Sequence, residues 1–267
     1  MGIQNLPTPR MKLGKLAPVR YVKTPAFGDF LAKANEWPAV KPQGWEYAFD
    51  PSLLEMLGND QYGDCGEAGA MHFIQTETAN TGQPLHGTLE QTLALYSAVT
   101  GFNPNAAPDA SGNNPTDNGT VLLDLLKYWR DQGIEVTDNS GNKIVHRILG
   151  WAALDLSSVA QMRYACYVFG GVYLGIQCPQ SAMADPSNWI YVPGSPIEGG
   201  HCINGTGEGS QGGHLQSWGL NIPYSWEFLL KYLDEGYAIV SKFWVDQQGK
   251  SPSGMDLDGL LNAMKSL

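Results

Sequence analysis

The sequence predicts an α+β domain in which a helical half packs against a strand-rich half with a cleft between them. Three observations lead there. Helix-like runs dominate from Cys65 to about Phe169, β-like apolar runs dominate from Val172 to Val245, and no stretch repeats another. With 267 residues, 43% of them apolar and 16% charged, the chain can bury one substantial core.

Taken in order, residues 1–45 form an extended basic arm. Arg10, Lys12, Lys15, Arg20, Lys23 and Lys33 stand against Asp29 alone in the first 35 positions, and Pro7, Pro9, Pro18, Pro25, Pro38 and Pro42 interrupt any long helix. Such an arm either wraps its own acidic body or docks on a neighbouring subunit or partner protein. It lacks the long helical pattern expected of a removable inhibitory propeptide.

The body, residues 46–267, opens near Trp45. From Cys65, CGEAGAMHFIQTETAN places Ala68, Met71 and Ile74 on one helical face, with Asp64 expected to cap the N-terminus. Residues 119–132 predict a second helix, with Val121, Leu122, Leu125, Leu126 and Trp129 as its stripe and Gly133 as its stop; NPNAAPDASGNNPTDNG before it is loop by composition. Ser157 is expected to cap a third helix reaching Phe169, after which Gly170 and Gly171 turn the chain into the strand VYLGIQC. Residues 179–199 predict a long loop, HCINGTGEG and GYAIVSKFWV predict strands, and PYSWEFLLKYLDEG predicts a short helix between them.

Composition excludes several functions. A net charge of −10 and a pI near 4.8 oppose nucleic-acid binding, which needs clustered cations. No apolar run is long enough for a bilayer, so no membrane partner is expected. The N-terminus has no apolar stretch before a small-residue cleavage site, which predicts cytoplasmic synthesis. Four scattered cysteines without a CxxC pair predict reduced thiols rather than a disulfide framework or zinc site. No phosphate-binding glycine loop or metal cluster is present, and no cofactor is expected.

The chemistry concentrates in two segments, NDQYGDCGEAGA and GGHCINGTGEG. Cys65 begins a helix and His201 begins a strand 136 residues later. Free N–H groups and the dipole at a helix start favour a thiolate, the reactive form of cysteine, and a histidine can take its proton. Taken singly, each residue has an ordinary reading, Cys65 as an inert thiol and His201 as a satisfied strand histidine. Strand alternation puts Cys202 on the opposite face from His201, pointing away from the cleft. His214 reads as an exposed loop residue and His72 as structural.

Across residues 45–245 the chain resembles the papain-like cysteine peptidase superfamily, and four segments match in order. DCGEA resembles the nucleophile segment, most closely that of bacteriocin-processing peptidases. FGGVYLGI resembles the GPVSVAI strand, GGHCINGTGEG the GxHAVxxVGYG histidine strand, and QSWG followed by GYAIV the NSWG and GYxxI pair. The resemblance implies Cys65 as nucleophile and His201 as base. It implies Asn59, six residues before the nucleophile, as the oxyanion donor, with Gln61 as the other candidate. Gln216 stands where the family has the asparagine that orients the histidine, and Trp218 matches the tryptophan that shields that bond. Glutamine is usual where this chain has Asn59, so the donor stem is one methylene shorter; the Gln216 stem is one longer.

A wider resemblance, carried by NDxYGDC, DNGT, the GGH segment and a C-terminal SPxGxD, is to uncharacterised proteins of bacteriophages and prophages. Two functions follow as expectations. One is a cysteine peptidase or amidase acting on a peptide or amide substrate. The other is a non-catalytic papain-fold structural or adaptor protein of a phage virion, assembling through residues 1–45.

Overall fold

A computed structural model describes residues 11–19, 24–31, 44–254, 258 and 262. Of the arm's basic residues, Arg10, Arg20, Lys23 and Lys33 lie outside the described residues. In chain order the elements are α1 (Phe27–Leu31), β1 (Trp45–Glu46), α2 (Cys65–Ala79), β2 (Leu85–His86), α3 (Leu89–Thr100) and α4 (Leu122–Asp131). There follow β3 (Ile134–Asp138), β4 (Lys143–His146), β5 (Ile148–Ala153), α5 (Val159–Phe169), β6 (Val172–Pro179) and α6 (Gln180–Ala184). The last are β7 (Ile197–Glu208), β8 (Gly212–Ser217), β9 (Leu220–Ser225), α7 (Trp226–Tyr232) and β10 (Leu233–Ser241).

The large sheet is antiparallel throughout and runs β5-β10-β6-β7-β8-β9, with β1 added to β7. β2, β3 and β4 form a small separate sheet. Both faces of the large sheet are covered. One carries the core built with Val168 and Phe169 of α5 and Phe228 and Leu229 of α7. The other packs on Met71, Phe73 and Ile74 of α2 and Leu122, Leu125, Leu126 and Trp129 of α4. The helical half expected of the chain is the α2 and α4 layer, while α5 and α7 belong to the strand-rich half and cover its other face.

α2 is buried on every side from Cys65 to Thr78, including Glu67, His72, Gln75 and Glu77. The face expected from Ala68, Met71 and Ile74 is therefore only part of its packing, because the helix lies between the sheet and the other helices. Asp64 holds the N-cap position but makes no capping bond; burial, then the neighbouring Glu67, raises its pKa well above the carboxylate range. Ser158 rather than Ser157 caps α5, accepting from the Gln161 amide, while Ser157 closes a turn on Asp155. Gly170 ends α5 at φ 83°, a left-handed conformation that glycine adopts without strain.

The loop expected over 179–199 is shortened at both ends, by α6 and by the early start of β7 at Ile197. His214 belongs to β8, not to a loop, and sits 3.3 Å from Glu46. Among the described residues no helix is long and apolar enough to cross a membrane.

Candidate active site

Cys65 opens α2 at its N-terminus, as the sequence predicts, and is 2% exposed. Burial raises its thiol to about 12, and the backbone groups of Cys202 and Gly14 act in the opposite direction. The strand that carries His201 thus passes directly beside the thiol. His201 is 1% exposed, and burial, then the positive charge of Lys15, lowers its pKa from 6.5 to about 3. Thiol and imidazole are both held neutral.

The His201 ring stacks on Trp218 at 4.3 Å between centroids. Nε2 meets Ser217 Oγ at 2.6 Å, whereas Nδ1 has no hydrogen-bond partner among the described residues. The ring contact expected of Gln216 is therefore made by Ser217. Pleating gives the reason: Gln216 pairs with Asn204 across β7 and β8, both side chains turn toward α2, and the next residue turns to the opposite face with His201. Gln216 exchanges hydrogen bonds with Thr76 at 3.0 and 3.2 Å and accepts one from Asn204 at 3.0 Å.

Cys202 faces α2, as alternation predicts, but this brings it toward Cys65. It shares a core cluster with Cys65, and a Cβ at Gly69 would come 3.2 Å from its sulfur. It is buried there as a small apolar side chain, on the face opposite His201. His72 is structural, its Nε2 bonded to the Glu55 carbonyl at 2.9 Å and its pKa lowered by burial to about 4. Gln61 is exposed and only approaches Asp60, at 3.5 Å.

Residues 12–16 lie across this site as a strap. Lys12 N–H donates to Asn59 O at 2.9 Å, Lys15 N–H to Gly200 O at 3.0 Å, and Leu16 N–H to Thr120 O at 2.9 Å. Thr120 N–H donates back to Gly14 O at 2.7 Å. Glycines on both sides admit the strap: a Cβ on Gly14 would fall 1.9 Å from Gly63 O, and one on Gly200 would fall 2.1 Å from Lys15 O. Asn59 Nδ2 and Trp218 Nε1 converge on a single strap carbonyl, Lys12 O, at 3.1 and 3.4 Å. Lys15 is the deepest strap residue. Its ammonium, with the side chain fully buried, lies 3.0 Å from Asp234 and 3.1 Å from Glu235.

Neither the strap with its partners Thr120, Asp234 and Glu235 nor the His201 partner Ser217 is marked in the sequence. The described part of the arm packs on its own body. Among the described residues no group of three or more His, Cys, Asp or Glu side chains could hold a metal ion.

The backbone matches solved structures of papain-like cysteine proteases. Xylellain, a cysteine protease from Xylella fastidiosa, superposes with a TM-score of 0.60 at 12% identity over 88% of this chain and 98% of that one. ProCathepsin B S9 from Trypanosoma congolense gives 0.53 at 14% over 85% of each chain. A Carica candamarcensis cysteine protease in complex with E-64 gives 0.52 at 13% over 74% and 98%. The chain therefore has the papain-like cysteine protease fold. No protein-family model matches the sequence, and no curated protein matches it.

Proposed function

We propose that this chain is a papain-fold cysteine hydrolase that cleaves peptides or amides, held closed by its own residues 12–16. The observation that carries the reading is the placement of the nucleophile candidate. Cys65 starts a buried helix against the strand backbone next to His201, and His201 keeps Nδ1 free while Nε2 is bonded to Ser217.

In this reading the strap leaves, water and substrate enter, and the desolvation that keeps both groups neutral is relieved. The Cys65 thiol and the His201 ring, which no hydrogen bond joins in the closed chain, then come together, Nδ1 takes the proton and the thiolate attacks the substrate carbonyl. Ser217 holds the far nitrogen and Trp218 packs over the ring, so the imidazole is oriented without Gln216. Asn59 Nδ2, freed from Lys12 O, and the Cys65 backbone N–H receive the oxyanion. That Asn59 already binds a carbonyl oxygen alongside Trp218 supports its reach despite the shorter stem.

A non-catalytic papain-fold protein is the second reading. It is favoured by the strap's own hydrogen bonds and by the turning of Gln216 toward α2. The two are separated by treating the full chain with E-64, the ligand of the Carica structure, and mapping adducts by mass. Modification of Cys65, abolished in His201→Ala, supports the hydrolase. A chain that stays unmodified while its strap amides exchange freely supports the second reading.

A further inference from the structure

Cross-strand pairing aligns Glu235 of β10 with Gly175 of β6 and Gly175 with Cys202 of β7, so one row of the sheet runs from an acidic residue to the strand backbone beside Cys65. Lys15 lies along this row. A Cβ at Gly175 would fall 2.6 Å from Lys15 Cδ and 2.8 Å from Cε, so the absent side chain is what admits the aliphatic stem.

At the end of the row the ammonium has three protons and three acceptors: Asp234 Oδ2 at 3.0 Å, Glu235 Oε1 at 3.1 Å and its own neighbour's carbonyl, Leu16 O, at 3.1 Å. Glu235 is held from behind by Tyr237 OH, which donates to Oε2 at 2.8 Å, and Gln177 donates to the same Asp234 oxygen that Lys15 meets, Oδ2. A long stem channel ending in two oriented carboxylates fits a primary ammonium or a guanidinium, and leaves buried charge unpaired against any neutral chain of the same length.

We propose that the pocket formed by Gly175, Asp234 and Glu235 recognises a lysine or arginine side chain of the peptide substrate, and that Lys15 is its internal occupant. This rests on the hydrolase reading for the word substrate, but the pocket's selectivity is measured without turnover. The full chain carrying Cys65→Ser and Lys15→Ala is titrated with acetylated alanine heptapeptides bearing one central lysine, arginine, norleucine or glutamate.

The lysine and arginine peptides should bind at least about tenfold tighter than the norleucine peptide. Adding Asp234→Asn and Glu235→Gln should erase that difference. Equal or tighter binding of norleucine, or a preference that survives the double substitution, overturns the proposal. If Lys15→Ala does not fold, the natural chain is read instead by hydrogen exchange at the Leu16 amide. The lysine peptide should then accelerate exchange several-fold and the norleucine peptide should not, and an equal or absent effect of both counts against the pocket. Selective binding by a chain whose unsubstituted form hydrolyses none of these peptides removes the hydrolase reading and leaves the pocket standing.

Discussion

Lys15→Met is the sharpest perturbation of the closed state, since it keeps the stem and removes the charge. Losing one partner of a buried ion pair costs roughly 3–5 kcal/mol when the remaining charge is stranded. Two features reduce that here. Asp234 is 19% exposed and keeps Gln177, and Glu235, whose pKa is raised chiefly by burial, can take up a proton. About 2–3 kcal/mol remains, which corresponds to a roughly 30- to 140-fold increase in strap opening. The assay is amide hydrogen exchange at residues 15 and 16, whose N–H groups bond Gly200 and Thr120, with the amides of β6 and β7 as internal controls. Iodoacetamide labelling of Cys65 should rise in parallel, while Cys166 and Cys178, in the other core cluster, should stay protected. Protection at 15 and 16 unchanged by the substitution would refute Lys15 as the clamp. A uniform loss across the controls would show that the strap is not a separate opening unit.

Ser217→Ala should lower kcat at least about tenfold, because it removes the ring-orienting partner, and cost about 1–3 kcal/mol by stranding the buried Nε2; peptide hydrolysis and thermal melting together check this. Gln216→Leu should cost about 1–3 kcal/mol in chemical denaturation by leaving Thr76 and Asn204 unpaired while kcat changes little. His72 and His201 should each contribute a loss of stability as pH falls from 6.5 toward about 4. His72 has a folded pKa of about 4 and His201 of about 3, so the unfolded chain binds more protons across that window. His72→Gln should flatten this acid limb in denaturation curves.

The layered fold was legible because its signals are local and repeated: the leucine stripe of α4, the Gly170 stop of α5 and the apolar run of β6 each announce themselves within a dozen residues. α3 also carries a local signal, the capping box of Thr88 and Gln91, which the sequence reading passed over. Within the candidate site, the helix start at Cys65 and the strand around His201 were legible from motif order. Ser217 was not, because a tetrad such as QSWG fixes which residues are near the ring but not which face each takes, and that depends on strand register. Lys15 was read only as arm charge. Its partners lie 219 and 220 residues away, and nothing near Lys15 in the sequence marks a buried cation.

Glu67 gives the closed state a pH dependence of opposite sign and so a test of how tightly the strap region excludes water. It sits two residues after Cys65, fully buried, accepting from Thr120 Oγ1 at 2.8 and 3.0 Å, and Thr120 is the residue whose backbone pairs with the strap on both sides. Burial raises its pKa from 4.5 to about 8. A carboxyl whose folded pKa exceeds its unfolded value binds more protons in the folded chain, so stability falls as pH rises through the window from 4.5 to about 8. Glu67→Gln preserves shape and an acceptor for Thr120 while removing the proton uptake. The variant should therefore gain stability relative to the natural chain as pH rises from 5 to 8, measured by denaturant midpoint at each pH, and the difference should stop growing above about 8. A difference that does not grow with pH would mean that Glu67 is ionised and solvated in the folded chain. In that case water reaches the start of α2 beneath the strap, and the desolvation argued to keep Cys65 neutral would fail with it.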